Sequence, residues 1–333
     1  MEQKKQPLLE IRNLKTSFFT DAGEVKSVNN VSYYVGEGEV VALVGESGCG
    51  KSVTQLSVLQ LVQTPPGKII GGEIYYRGKD LLKLKPRSKE MRSIRGAEIA
   101  MIFQEPMTSL NPVLTIGQQL SQVIRVHKKV GRKTAWNEAI EALRKVGIPD
   151  PESRMKNYPF EMSGGMRQRV MIATAIACNS SLIIADEPTT ALDVTTQAQV
   201  MELLMSIVKE QHMSLVVVTH NLGLVTRYAD RIYVMYAGQI VESGTTKDIM
   251  TAPKHPYTIG LLKSVPNLND DKNKALVPIE GAPPVVINLP DQCAFLPRCP
   301  YAQEICRTSS NPELKPIGEN EHFTRCYCRQ LEV

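Results

Sequence analysis

The chain has 333 residues, 42% of them hydrophobic, and a net charge of +5 from 39 basic and 34 acidic side chains. This composition indicates a globular protein with a large core, and the charge excess is too small to indicate a nucleic-acid partner by itself. No apolar run approaches the roughly 18 residues of a membrane span. The lysine-containing N-terminus lacks the apolar segment of a signal peptide. We therefore expect a soluble, cytosolic chain whose thiols stay reduced.

The first half of the chain is predicted to contain strands, a glycine-rich loop and then helices. Alternating apolar residues predict strands within 8–44, ending in the continuous apolar run 40–44. The loop 45–52 precedes helical spacing, so strand, loop and helix form half of a βαβ unit. Residues 73–103 return to short strands. Apolar residues three and four positions apart predict a helical region from about 106 to 162.

The second half alternates buried-type strands with helices. Apolar strands within 181–188 and 214–221 flank a helix over 195–211, which indicates a parallel sheet covered by helices on both faces. Regularity fades after about Asn267, where proline-rich stretches lead into the tail. We predict an α/β protein with these parts: core 1–104, helical subdomain 105–162, core 163–266 and C-terminal extension 267–333.

The loop after the first buried strand has the composition of a phosphate-binding loop. It fits G-x-x-x-x-G-K-S/T at every fixed position. Its glycines let backbone N–H groups turn inward, and the following helix adds partial positive charge, so that nucleotide phosphates are cradled. Lys51 can reach the β- and γ-phosphates, and the Ser52 hydroxyl can ligate Mg²⁺. The predicted nucleotide contacts are Gly45, Glu46, Ser47, Gly48, Cys49, Gly50, Lys51, Ser52 and Val53.

An acidic pair ends the apolar run within 181–188. In an open α/β sheet, ligands bind at the carboxyl ends of the strands. Asp186 can hold Mg²⁺ through water there, and Glu187 can act as the general base that polarises the attacking water. Together with the upstream phosphate loop, the pair predicts nucleotide hydrolysis.

Further motifs resemble those of the ATP-binding cassette (ABC) ATPases. The segment MSGGMRQR resembles the family's signature motif, with Met162 and Met166 in place of the usual Leu and Gln. Across about 8–245 the order of motifs also matches, which implies an ABC-ATPase (P-loop NTPase) core with a helical subdomain and a small irregular cysteine-containing extension. The residues carrying the resemblance are the signature residues Ser163, Gly164 and Gly165, the Q-loop Gln104, the D-loop Asp193 and the switch His220.

Each of these residues has a physical role that suits the resemblance. Ser163 and the two glycines precede a helix and would form a second anion-binding N-terminus. His220 can hydrogen-bond the γ-phosphate, and Gln104 can ligate Mg²⁺ while sensing movement of the helical part. The family's aromatic A-loop implies that Phe18 stacks on adenine; Phe19, or an ordinary core role for the phenylalanine, is the alternative.

The resemblance also implies partners. In this family two ATPase subunits, related or identical, close head-to-tail around ATP. The segment 252–266 resembles the His-Pro-Tyr segment of peptide and nickel importer ATPases, and is closest to that of the dipeptide and oligopeptide permeases. That implies ATP-driven import of short peptides, with two membrane-spanning permease subunits, an extracytoplasmic binding protein, and a peripheral position at the cytoplasmic face of the membrane. Nickel import, or a DNA- or ribosome-associated ABC ATPase, is the alternative; we expect no nucleic-acid partner.

Most of the seven cysteines lie in the tail. Because a cytosolic compartment disfavours disulfides, four thiolates there can hold zinc or an iron–sulfur cluster. Their spacing lacks the close pair typical of zinc sites. In the permease family this pattern implies a 4Fe–4S cluster, with zinc or reduced thiols as alternatives and a structural clamp as its role. The implied ligands are Cys293, Cys299, Cys306 and Cys326, with Cys328 interpreted as an extra thiol and Cys49 and Cys178 as non-ligands.

Overall fold

The computed structural model describes residues 6–190, 192–264, 278–318 and 321–328. Within these ranges the strands are β1 (Leu9–Thr20), β2 (Gly23–Val35), β3 (Val40–Val44), β4 (Gly67–Tyr76), β5 (Lys79–Asp80), β6 (Ile99–Ile102), β7 (Leu182–Asp186), β8 (Ser214–Thr219), β9 (Arg231–Tyr236), β10 (Gln239–Thr245), β11 (Lys315–Pro316) and β12 (Phe323–Thr324).

The helices follow the same chain order. They are α1 (Lys51–Val58), α2 (Lys89–Ile94), α3 (Pro106–Ser109), α4 (Ile116–Lys128), α5 (Arg132–Lys145), α6 (Pro151–Arg154), α7 (Gly164–Ile176), α8 (Val194–Glu210), α9 (Leu222–Val225), α10 (Thr246–Thr251), α11 (Pro256–Lys263) and α12 (Glu304–Thr308). No helix in the described ranges is long and apolar enough to cross a bilayer.

The chain divides into two compact units. The first comprises 1–36, 40–82 and 219–333, and the second comprises 37–39 and 83–218. The predicted helical segment lies inside the second unit. The predicted boundary at 266/267 lies outside the described residues.

The first unit contains an antiparallel sheet and a set of strands around the phosphate loop. The sheet has the order β2-β1-β4-β5. Separately, β3 pairs in parallel with β9, and β9 pairs antiparallel with β10. Every residue of β3 is buried, as its continuous apolar run predicts. The C-terminal extension continues this set, because β12 pairs with β10 and β11 with β12. These two strands are only two residues long each.

Helix α1 ends at Val58, although the helical spacing of apolar residues in the sequence continues to Gln63. Gln60 adopts a left-handed φ of 48°, and the Leu61 N–H donates to the Leu56 carbonyl at 2.8 Å. A bond of this type across a left-handed residue caps the C-terminus of a helix, which stops α1 before the apolar pattern fades.

The second unit is built on the predicted parallel strands. Strand β7 lies between β6 and β8 and pairs in parallel with both. The predicted helical region contains the two long helices α4 and α5, and α4 begins with a capping box in which Thr115 and Gln118 satisfy each other's backbone N–H groups. The apolar face of α4 is buried through Ile116, Leu120 and Ile124. This arrangement places the acidic end of β7 at the carboxyl edge of the parallel strands.

Candidate nucleotide-binding site

The phosphate loop turns sharply between β3 and α1, and two of its glycines are required by the space available. A Cβ on Gly45 would lie 2.1 Å from the Met235 carbonyl oxygen. On Gly50 it would lie 2.0 Å from the Ser27 carbonyl oxygen, and the φ of Gly50 is 102°. Neither separation is possible for a real side chain, so the loop reaches this path only with glycine at both positions.

Lys51 is folded back over the loop. Its ammonium donates to the carbonyl oxygens of Gly45 at 2.7 Å and Glu46 at 3.0 Å, and the residue is only 4% exposed. The charge therefore lies among the loop's backbone groups, where an incoming phosphate can replace the carbonyls as its partner. Cys49 is buried in the same loop, and burial raises the pKa of its thiol. Cys49 is thus a small, buried side chain that fits inside the loop.

Glu46 makes contacts that the sequence did not predict. Its backbone N–H donates to the Tyr257 hydroxyl at 2.8 Å. Its carboxylate accepts two hydrogen bonds from the Arg298 guanidinium, at 2.7 and 3.0 Å. Tyr257 belongs to the His-Pro-Tyr segment, which pattern alone marks only as a proline-broken turn. No local signal identifies Arg298.

In the second unit, Glu187 follows β7 in a strained conformation. Its φ is 44°, which is rare for a residue with a side chain, and it is only 9% exposed. Its carboxylate accepts hydrogen bonds from the Thr190 hydroxyl at 2.8 Å and from the Gln104 amide at 3.2 Å. The preceding Asp186 is buried at the end of β7. Strain of this kind concentrates at functional sites, and the fold brings the predicted base and the Q-loop glutamine together.

The signature residues form the start of α7. Ser163 is the N-cap, and its hydroxyl accepts from the Met166 N–H at 3.3 Å. Gly164 and Gly165 are the first two residues of the helix, whereas the sequence placed them before it. Asp193 caps α8 through Thr196, whose N–H and hydroxyl donate to it; these bonds lower the pKa of its carboxyl group. The start of α7 therefore exposes a helix N-terminus, the structural feature that favours anions, whereas the Asp193 carboxylate already occupies the N-terminus of α8.

His220 and the phenylalanine pair belong to the first unit. His220 is exposed directly after β8. Phe18 is half-buried, and its ring lies against Gly67, whereas Phe19 is 52% exposed. Exposure thus favours Phe19 as the ring open to a ligand, whereas the resemblance favours Phe18; adenine stacking stays a prediction.

The tail thiols converge on one place. The cysteines at 293, 299, 306, 326 and 328 line a single small enclosed cavity, and all seven cysteines of the chain are free thiols. Burial, with a smaller contribution from the neighbouring thiols, raises the pKa of Cys299 to about 11 and that of Cys326 to about 12. Cys328, which the sequence indicated to be an extra thiol, also lines this cavity.

The five tail cysteines are not arranged around a site for a single metal ion. Among the described residues, no three Cys, His, Asp or Glu side chains are placed so that one metal ion fits between them. The same five sulfurs nevertheless line one small cavity.

A phosphate loop after a buried strand and an acidic pair closing a parallel strand are the parts of a P-loop nucleotide-hydrolysing cassette. Comparison with known families refines that class. The family described as "ABC transporter" matches residues 28–190, and "Oligopeptide/dipeptide transporter, C-terminal region" matches residues 241–306. The chain belongs to the ABC transporter family of ATPases, in the branch with this C-terminal region.

Curated relatives match along nearly the whole chain. The oligopeptide transport ATP-binding protein AppD of Bacillus subtilis is 51% identical over 325 residues, which is 98% of each chain. A putative peptide import ATP-binding protein of Brucella ovis is 49% identical over 332 residues, 97% of each chain. The dipeptide transport ATP-binding protein DppD of Bacillus subtilis is 50% identical over 301 residues, covering 90% of this chain and 89% of that one.

Solved structures share the cassette fold. The dimeric structure of an ATP-binding cassette in a post-hydrolysis state, bound to ADP and Pi, is 27% identical, with a TM-score of 0.64. It covers 72% of this chain and 98% of that chain. The predicted fold class is confirmed.

Proposed function

We propose that this chain is the ATP-hydrolysing subunit of an importer of dipeptides and oligopeptides. The relatives at about half identity are named for transport of these substrates. The geometry that supports the activity is the Glu187 carboxylate, held by Thr190 and Gln104 at the end of β7. A carboxylate oriented by two donors on a rigid strand end is arranged to accept a proton from a water molecule.

The catalytic roles follow from the chemistry of each group. Backbone N–H groups of the phosphate loop and Lys51 would bind the β- and γ-phosphates, and Ser52, Gln104 and Asp186 each carry an oxygen atom of the kind that would hold Mg²⁺, directly or through water. Glu187 takes the proton of the attacking water, and His220 donates a hydrogen bond to the γ-phosphate. Stabilisation of the charge that develops on the transferred phosphoryl group then comes from these fixed donors.

The proposed assembly has two ATPase subunits. The helix N-terminus at Ser163 offers an anion-binding group that a second subunit's nucleotide can meet. We propose that a related or identical ATPase closes head-to-tail on this chain with ATP between them. Bound at the cytoplasmic face of the membrane, the ATPase pair would drive two membrane-spanning permease subunits when it closes. An extracytoplasmic binding protein would deliver the peptide to these permease subunits.

The test is uptake by cells that lack this chain. Labelled dipeptides, longer peptides and nickel are offered in parallel, and the strain is complemented with the wild-type or the Glu187→Gln chain. We expect loss of peptide uptake that only the wild-type chain restores. A defect confined to nickel would favour the metal-import alternative. Normal uptake, with an ATPase stimulated by nucleic acid, would contradict the import function.

We also propose that Cys293, Cys299, Cys306 and Cys326 hold a 4Fe–4S cluster that clamps the tail. The shared cavity of the thiols and the resemblance of their spacing to that of the permease family support this. When bound, such a cluster would tie together chain segments that have few apolar residues of their own. Protein purified without oxygen should be brown and contain iron and acid-labile sulfide in equal amounts. Zinc without iron would contradict the cluster.

A further inference from the structure

Arg298 is an interior cation with every donor engaged. Nη1 donates to the Tyr236 hydroxyl at 3.3 Å in addition to Glu46, and Nη2 donates to the Ile279 carbonyl at 3.3 Å in addition to Glu46. Nε donates to the Glu280 carbonyl at 2.9 Å. An arginine has five N–H groups, so none is left over. The side chain is only 6% exposed, which means that it is held in one geometry.

The acceptor of the bidentate bridge is a residue of the phosphate loop. Glu46 is fixed at three points: its carboxylate by Arg298, its N–H by the Tyr257 hydroxyl, and its carbonyl by Lys51. Both Arg298 and Tyr257 lie C-terminal to the strands and helices that form the nucleotide site. The path of the loop therefore depends on residues 211 and 252 positions further along the chain.

The bridge also has an electrostatic consequence. A carboxylate in a loop that binds phosphates repels a nucleotide, because like charges at short range disfavour each other, most strongly away from water. The bidentate hydrogen bonds from the Arg298 guanidinium neutralise that carboxylate and orient it toward the C-terminal extension. Removal of the arginine would leave a partly buried negative charge beside the phosphate site.

The position of Arg298 is set by a turn between two cysteines. The Leu296 N–H donates to the Cys293 carbonyl at 3.0 Å, and the Cys299 N–H donates to the Leu296 carbonyl at 3.3 Å. In the same turn Phe295 is buried, with its ring edge-on to Tyr236 at 5.2 Å between centroids. The backbone that carries Arg298 is therefore fixed between Cys293 and Cys299.

We infer that Arg298 is a positioning residue for the phosphate loop, through which the C-terminal extension sets the affinity of the site for nucleotide. The inference rests on the proposed function, since it requires the loop to bind nucleotide phosphates. It assigns the extension a part in the ATPase cycle in addition to holding the tail together.

The test is a double-mutant cycle on the full-length chain with ADP as the probe. Dissociation constants are measured by calorimetry for wild type, Arg298→Gln, Glu46→Gln and the double variant. We expect Arg298→Gln to weaken ADP binding about 3- to 30-fold, the range for substitutions that act on a site from a distance. The double variant should bind more tightly than Arg298→Gln alone, because the repelling charge is gone. Arg298→Lys keeps the positive charge but cannot form the two parallel hydrogen bonds to Glu46, so this variant should also bind ADP weakly.

Controls separate this role from a general loss of stability. Arg307→Ala removes an exposed positive charge from the same extension and should bind ADP like wild type. For Arg298→Gln the KM for ATP should rise while the hydrolysis rate at saturating ATP stays near that of wild type, whereas partial unfolding would lower the rate and leave KM unchanged. If Arg298→Gln does not fold, Tyr257→Phe can be tested instead. It removes the hydroxyl that accepts from the Glu46 N–H and should also weaken ADP binding.

The outcomes distinguish two failures. A wild-type chain that does not bind ADP overturns the proposed function and this inference with it. Wild-type binding together with unchanged affinity in Arg298→Gln, or strictly additive effects in the double variant, overturns the inference alone.

Discussion

The side-chain amide of Gln104 donates a hydrogen bond to the carboxylate of Glu187 across 83 positions of sequence, at 3.2 Å. Gln104 follows β6 and Glu187 follows β7, and these strands are parallel neighbours, so their carboxyl ends lie side by side. The pairing connects the start of the helical region to the residue that we assign as the base.

Replacement of Glu187 by glutamine should remove turnover and leave nucleotide binding intact. The amide has nearly the shape of the carboxylate but cannot accept a proton from water. We expect the rate of ATP hydrolysis to fall by about two orders of magnitude or more, with an unchanged dissociation constant for ATP. Hydrolysis at the wild-type rate would refute the base assignment.

The Thr190 hydroxyl should matter for rate and not for affinity. Thr190→Val keeps the shape of the side chain but removes a 2.8 Å hydrogen bond that orients Glu187. We expect kcat to fall several-fold, about 1 kcal/mol in the barrier, with unchanged ADP binding. Thr174→Val is the matched control, because the Thr174 hydroxyl donates to the Val170 carbonyl of its own helix at 2.9 Å. Equal effects of the two variants would contradict the role of Thr190.

Gly45→Ala should displace the phosphate loop. The added methyl group would meet the Met235 carbonyl, so either β9 or the loop must move. We expect loss of measurable ADP binding with a chain that still folds. Gly131→Ala adds the same methyl group at the start of α5, where nothing lies within 4 Å, and should bind ADP normally. Tight ADP binding by Gly45→Ala would show that the loop does not need this close approach.

Stability should fall in mild acid because of His255. Its imidazole is buried at the N-cap of α11, where Nδ1 accepts from the Tyr257 N–H at 3.1 Å. Burial lowers the pKa of His255 from 6.5 to about 4; Arg325 lowers it as well, and the Glu242 carboxylate opposes the shift. In the unfolded chain the histidine takes up a proton below its ordinary pKa, and the folded chain does not. The free energy of unfolding is therefore fully retained above about pH 6.5 and decreases as the pH falls towards 4.

The size of that decrease is about 3 kcal/mol at most, from about 1.4 kcal/mol for each unit of pKa shift. Urea denaturation at pH 7.5 and pH 5 measures it. His255→Asn can still cap the helix but does not titrate, so its unfolding free energy should depend less on pH than that of wild type. Identical pH dependence in both chains would contradict the assignment.

Loss of a tail thiol should weaken nucleotide binding through Arg298. Cys299→Ser removes one sulfur from the cavity and, with it, a proposed cluster ligand at the end of the turn that carries the guanidinium. We expect a higher dissociation constant for ADP, and no further increase when Cys299→Ser is added to Arg298→Gln. Additive losses would mean that the cysteines affect the site by another route.

Motifs that are contiguous in sequence were predictable. The loop from Gly45 to Ser52 and the strand ending in Asp186 have local patterns whose conformation follows from glycine freedom and continuous apolar runs. The order of the strands and helices in the second unit was predictable for the same reason. The early end of α1 was not, because its stop is a left-handed residue without glycine or proline at that position.

The sequence by itself determined the chemistry of this protein: a phosphate loop, an acidic strand end, a signature helix start and a cysteine-rich tail. Tertiary structure alone decided which of these groups touch. The bridge from Arg298 to Glu46 spans 252 positions, and the bond from Gln104 to Glu187 spans 83. Such pairs leave no local pattern, because they are made by strand pairing and by burial of Phe295 and Tyr257 among other side chains. Those forces act on the folded chain as a whole, whereas a sequence motif reports only on its own neighbours.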